Sequence, residues 1–267
     1  MSPAQAVFER SGESFVPTEH ALSPWGSDRL HGGAVLGLLT RAIEEPVQDL
    51  ALHPTRLTFD QFRAVPRVPL TTDVHTLREG ARLLLLQAHL RAGGDAVARC
   101  TALFLRENTN LDPGFDAPPR PSGPDGLETT SLMRGFPPQP PTPPGFHTAV
   151  ETRWLAHSID EPVAIWFHLP MPLVAGEQAS SLQLATAIAD LGNAVASIAA
   201  REAGQHDPSY INAETTLYLL RRPIGEWFCL VEERIQDRAG ISVATMAHCD
   251  RQGLFGRTSQ ARLSNAR

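Results

Sequence analysis

An α+β chain built as two tandem units, each a long helix lying across antiparallel strands, is what this sequence predicts. Three observations carry that reading. A proline-rich stretch divides the chain into two segments of similar size. Each segment runs in the same order, one helix and then four strands. Several residues also recur at an offset of 158 or 159 positions, as a duplicated unit requires.

The division lies at residues 111–146, which hold eleven of the 23 prolines. Proline fixes φ and removes a donor, so neither a helix nor a central strand is expected there. The stretch reads as an extended, semi-rigid linker between a unit at 1–110 and a unit at 147–267.

In the first unit, residues 31–45 place Val35, Leu38, Leu39, Ala42 and Ile43 at helical spacing. Strand-like runs follow at 55–62, 70–77, 82–90 and 96–106, the last two joined by Gly93-Gly94-Asp95, a hairpin signal. In the second unit, residues 181–200 predict one helix, and strands follow at 210–220, 226–234, 241–248 and 254–263. Extra β material precedes each helix, as at 163–169. The recurring pairs are Gly33 with Gly192, Arg63 with Arg221, and Arg99 with Arg257. So small a unit cannot cover both faces of its sheet, so the two are expected to pair side by side with a ligand cleft at the seam.

Composition narrows the function. The net charge of −6 disfavours general nucleic-acid binding. All 23 basic residues are arginine, which excludes a Schiff-base lysine and a phosphate-loop lysine. Three cysteines without a CxxC pair indicate neither a disulfide framework nor a zinc site. No apolar run is long enough to span a membrane, and residues 1–10 show no signal-peptide pattern, so a cytoplasmic protein without membrane or nucleic-acid partners is expected. There is no Gly-x-Ser-x-Gly elbow, no His-Glu-x-x-His, no clustered His/Asp ligand set and no Gly-x-Gly-x-x-Gly after a strand. No metal or cofactor is therefore expected.

The chemistry-bearing candidates are few. Between Glu177 and Arg201 the sole charged residue is Asp190. Gln183, Thr186, Asn193 and Ser197 recur with it at steps of three and four, which puts them on one helical stripe. Short neutral polar groups around one carboxylate suit a partly buried cleft. A carboxylate there has to be hydrogen-bonded or held protonated, so Asp190 reads as a general base or as an acid capping a kink before Gly192. The first helix opens with His31-Gly32-Gly33; the two glycines either bare backbone N–H groups to a ligand carbonyl or let the helix pack closely. His31 corresponds to Asp190 under the 159-residue offset. Gln260 and Asn212 could each hold a water, or be ordinary polar residues of the strands.

With these residues in view, the chain resembles the TesB-like bacterial acyl-CoA thioesterases. The stretches that carry the likeness are 26–33 ending in His31-Gly32-Gly33, 64–70 (Ala-Val-Pro-Arg-Val-Pro-Leu), 78–82 (Arg-Glu-Gly-Ala-Arg), 189–193 (Ala-Asp-Leu-Gly-Asn), 211–214 (Ile-Asn-Ala-Glu) and 223–227 (Pro-Ile-Gly-Glu-Trp). Their order spans nearly the whole chain outside the linker. The resemblance implies a double hotdog fold and hydrolysis of fatty acyl-CoA to free acid and CoA by direct water attack. It implies an Asp, a Thr and a Gln around that water. The Asp maps onto Asp190 and the Gln onto Gln260. The Thr position falls on Asn212, a departure from the family, and Thr216 is a second candidate, expected on the same strand face as Asn212. His31, Gly32, Gly33 and Thr216 are the expected substrate contacts, and Arg63, Arg78 or Arg221 would meet the CoA phosphates. A homodimer or higher homo-oligomer is expected. Two other functions suit the same fold: a non-hydrolytic acyl-thioester-binding or accessory protein of lipid or polyketide metabolism, and a hydratase.

Overall fold

The computed structural model describes residues 5–48, 50–108, 110, 120–132, 143–156, 161–205 and 209–265. In chain order the elements are β1 (Phe8–Ser11), β2 (Ser14–Pro17), β3 (Leu22–Ser23), β4 (Gly26–Leu30), α1 (Gly32–Glu44), β5 (His53–Gln61), β6 (Leu70–Gly80), β7 (Leu83–Ala92) and β8 (Asp95–Leu105). After the proline-rich stretch come α2 (Phe146–Ala149), β9 (Glu151–Trp154), β10 (Ala164–His168), α3 (Ser181–Ala189), α4 (Gly192–Glu202), β11 (Tyr210–Leu219), β12 (Trp227–Arg238), β13 (Ile241–Asp250) and β14 (Gly253–Ser264).

Twelve strands form one sheet in the order β1-β2-β6-β7-β8-β5-β11-β14-β13-β12-β10-β9. Its middle eight are mirror-related: β6-β7-β8-β5 on one side and β12-β13-β14-β11 on the other. The two halves join where β5 pairs antiparallel with β11, Thr58 facing Thr216. Those residues are 158 apart, and on either side Arg56 faces Tyr218 while Asp60 faces Glu214. A pseudo-twofold axis therefore passes between Thr58 and Thr216, whose hydroxyls lie 3.0 Å apart. The offset read from the sequence is thus the symmetry of the sheet.

On each strand alternate residues face the helices. In β7 these are Leu84, Leu86, Ala88 and Leu90, all buried. α1 lies across β6, β7 and β8, and α4 across β11 to β14. One continuous apolar core spans both halves, from Leu36 and Phe104 to Phe228 and Phe255.

The second helix differs from expectation. The segment expected as one helix is two, α3 and α4, bent by 41°. The break falls at Asp190 and Leu191. α4 is the repeat partner of α1, while α3 packs antiparallel against α1. Gly33 and Gly37 permit that close approach: a Cβ on Gly33 would lie 2.5 Å from the Ala187 carbonyl oxygen, and one on Gly37 3.2 Å from Ala187 Cβ. No single helix among the described residues is long and apolar enough to cross a membrane.

Part of the proline-rich stretch lies outside the described residues. Its described segment at 120–132 runs against the C-terminal half: the Ser122 carbonyl accepts from Trp166 Nε1 at 2.7 Å, and the Pro124 carbonyl accepts from Arg153 at 3.0 Å.

Candidate active site

The bend between α3 and α4 turns Asp190 toward the start of α1. Asp190 is 6 % exposed. Its Oδ2 lies 3.2 Å from His31 Nδ1, and its Oδ1 accepts from Asn212 Nδ2 at 2.9 Å. The same Asn212 amide donates to the Asp190 backbone carbonyl at 3.1 Å. Gln260, fully buried on β14, donates from Nε2 to the Ala189 and Asp190 carbonyls at 3.3 and 3.4 Å and to Thr215 Oγ1 at 3.2 Å. Those carbonyls are exposed by the helix break, so the amides of Asn212 and Gln260 satisfy groups that a continuous helix would have used itself.

His31 does two things with one atom. It caps α1, its Nδ1 accepting from the Gly33 N–H at 3.0 Å, and the same Nδ1 faces Asp190. A ring nitrogen offers either a lone pair or a proton. With the lone pair it holds Gly33; with a proton it donates to Asp190 and releases the Gly33 N–H.

The missing side chains of two glycines leave the space that these groups fill. A Cβ on Gly32 would stand 2.6 Å from Asp190 Cγ, and one on Gly192 2.7 Å from Gln260 Oε1. The acid, the histidine and the glutamine thus pack directly onto bare helix backbone.

Two groups that reading along the chain passed over stand beside these. His147, on α2, is 8 % exposed and stacks on His31 with ring centroids 6.3 Å apart. Burial, and then the proximity of His31, lower its pKa to about 4. Only its position just past the prolines marks it in the sequence, and that is no signal of function. The other is Thr215. A β-bulge between Asn212 and Glu214 shifts the register of β11 by one residue. Asn212 and Thr215 consequently both reach the Asp190 cluster, whereas strict alternation would have paired Asn212 with Thr216. Thr216 donates instead to Glu214, and its hydroxyl lies against that of Thr58 on the seam between the halves.

Of the expected residues, then, Asp190, Gln260, Asn212, His31, Gly32 and Gly33 come together, and Thr216 does not join them. The polar stripe of the second helix is split by the bend. Thr186 meets Thr40 at 2.8 Å and Gln183 donates to Glu44 at 2.8 Å, both on α1, while Asn193 donates to the Tyr210 carbonyl at 2.9 Å. Arg221 is committed elsewhere: both its terminal nitrogens lie 2.6 Å from the fully buried Asp250 carboxylate. A cavity of about 570 Å³ opens at the far end of the α1–α3 pair, lined by Glu44, Val47, Phe104, Ala179, Ser180 and Arg222 among others, and Asp190 is not part of its wall.

Residues 21–105 match the model of the acyl-CoA thioesterase N-terminal domain, and residues 123–263 that of the acyl-CoA thioesterase C-terminal domain. The chain belongs to the acyl-CoA thioesterase family. No functionally curated protein matches it in sequence. Solved structures share the fold of this thioesterase along its whole length. A putative thioesterase from Novosphingobium aromaticivorans is 17 % identical over 98 % of this chain and 100 % of its own, with a TM-score of 0.69. The tesB protein of Mycobacterium avium subspecies paratuberculosis is 16 % identical over 96 % and 95 %, with a TM-score of 0.64. A hot dog fold protein from Alicyclobacillus acidocaldarius is 15 % identical over 97 % and 96 %, with a TM-score of 0.65. The thioesterase is thus a double hotdog of the TesB-like kind, an α+β fold and a thioester hydrolase.

Proposed function

We propose that this thioesterase hydrolyses fatty acyl-CoA by direct attack of water, with Asp190 as general base. The observation that carries the reading is the buried Asp190 carboxylate, fixed by Asn212 and faced by His31, at the start of α1. Asn212 Oδ1 and Gln260 Oε1 are buried acceptors without a protein partner beside it. Acceptors of that kind next to a carboxylate suit a water that donates its hydrogen bonds while its oxygen attacks.

In this proposal Asp190 takes one proton of the water as the hydroxyl oxygen bonds to the thioester carbon. His31, protonated on Nδ1, faces Asp190 and leaves the Gly33 N–H free for the carbonyl oxygen, where negative charge develops. Collapse of that intermediate breaks the C–S bond, and the CoA sulfur leaves with the proton that Asp190 had taken. Asn212 stands where the family resemblance implied a threonine, and Thr215 supplies a hydroxyl one step deeper, on Gln260. The protein acts in this reading as a homo-oligomer, supported by the exposed neighbouring row Ile211, Leu263 and Ile241 on β11, β14 and β13.

The test is release of CoA thiol from a panel of acyl-CoAs of increasing chain length. Wild type is expected to turn over part of the panel and Asp190→Asn to lose at least about a hundredfold. Retained turnover in Asp190→Asn removes the acid from the chemistry.

A further inference from the structure

On the outer face of the N-terminal half, remote in the fold from the Asp190 cluster, the β6–β7 hairpin assembles a second group of titratable side chains. Asp73 lies directly opposite His89, and His75 follows Asp73 by two positions on the same face. The inner face of the same hairpin is the apolar row of β7, so these three polar residues point away from α1. One ligating atom from each lies within 4.8 Å of the others. His75 Nε2 is 2.6 Å from Asp73 Oδ1, and His89 Nδ1 is 3.4 Å from the same oxygen. Arg91 Nε holds the other oxygen, Oδ2, at 2.5 Å. His89 Nδ1 is buried and has no hydrogen-bond partner.

We propose that Asp73, His75 and His89 form a binding site for a divalent transition-metal ion of the Zn2+ class. Two imidazole nitrogens and one carboxylate oxygen are the donor set that borderline divalent ions prefer, with a fourth position open to water. Bonds of about 2.0–2.1 Å at tetrahedral angles set ligand atoms about 3.4 Å apart. The Asp73–His89 separation of 3.4 Å already has that value. His75 has to draw back by less than about 1 Å on the same geometry, which its 59 % exposed side chain can do without disturbing the core. Arg91 holds Oδ2 and leaves Oδ1 facing the two imidazoles. Arg91 also orients Asp73 to bind through Oδ1 alone, in the manner of the outer-shell partners of metal ligands. Its positive charge opposes a dication and so weakens binding. An ion there bridges β6 and β7 and stabilises the folded chain by mass action.

The experiment is calorimetric titration of ZnCl2 into the full chain after chelator treatment, with CoCl2 absorption as a probe of tetrahedral N/O ligation. One equivalent is expected to bind with a dissociation constant on the order of 1–10 µM, with a rise of a few °C in Tm at tenfold excess over it. His75→Ala is expected to weaken binding at least tenfold, on the scale of lost metal ligands or their partners. Arg91→Gln, which removes the opposing charge, is expected to tighten it. Thioester hydrolysis is expected to be unchanged in both variants. Absence of saturable binding below about 100 µM overturns the site, as does wild-type affinity in a His75→Ala/His89→Ala double variant whose circular dichroism is native.

Discussion

His31 and Asp190 occupy equivalent positions in the two repeats, 159 residues apart, and their side chains meet at 3.2 Å between Nδ1 and Oδ2. The pseudo-twofold that pairs Thr58 with Thr216 also brings the two helix starts together. Duplication supplied one position twice, and the two copies diverged into a histidine and a carboxylate. Their surroundings diverged as well: Gln260 on β14 corresponds to Ala102 on β8, and Thr215 to Leu57. At these two positions the C-terminal half is polar and the N-terminal half is buried apolar core.

Gly32 and Gly33 are expected to respond differently to the same added methyl. Gly32→Ala pushes first on the Asp190 carboxylate, whose atoms are the nearest to the added methyl. Turnover should drop by about a hundredfold, as for a reacting group displaced by an ångström, with Tm nearly unchanged. Gly33→Ala presses on the Ala187 carbonyl and the Phe146 ring. It should cost about 1–3 kcal/mol, seen as a lower Tm before any kinetic effect is interpreted. Equal losses of Tm in the two variants would contradict this assignment.

The bulge in β11 brings Thr215, not Thr216, to Gln260, and the proposed mechanism expects Thr215 to be the hydroxyl that affects turnover. Thr215→Val removes an acceptor of Gln260 Nε2 and should lower kcat about 2- to 10-fold, the worth of one ordinary hydrogen bond. Thr216→Val should leave kcat within about twofold on the same scale. Steady-state assays on one acyl-CoA decide it; the reverse ranking would return the site to Thr216.

Stability should decline in mild acid through two buried histidines. Burial lowers His147 to about 4, with His31 adding to the effect, and His248 to about 3. The unfolded chain binds those protons near pH 6.5, whereas the folded chain does not until far lower. Their contribution is therefore full above pH 6.5 and is lost as pH falls from there toward 4 and then 3. The urea midpoint should fall steadily from pH 7 to pH 5, and less steeply in His147→Gln. A wild-type midpoint constant over that range would show that these rings are not held neutral.

Arg221 should prove structural. Removing it in Arg221→Ala leaves the fully buried Asp250 carboxylate without its ion-pair partner, a loss of about 3–5 kcal/mol. Thermal denaturation should register that loss, while KM for acyl-CoA, measured below the new Tm, stays unchanged. A selective rise in KM would instead place Arg221 on the CoA phosphates.

The local grammar of the chain was legible without coordinates. Helical and alternating periodicity located α1 and all eight main strands, because each depends on side-chain spacing within a few residues. The 158-residue offset revealed the duplication, and an isolated acid in an apolar helix singled out Asp190. What escaped were features that depend on contacts between segments remote in sequence. The bend at Asp190 arises where α3 leaves α1 to let α4 cover its own strands. The one-residue bulge that exchanges Thr216 for Thr215 comes from the pairing of β11 with β14. His147, the commitment of Arg221 to Asp250 and the gathering of Asp73, His75 and His89 follow from the same cause. Periodicity records which way a side chain points along its own element; which group it meets is set by the register between elements, and no single segment encodes that.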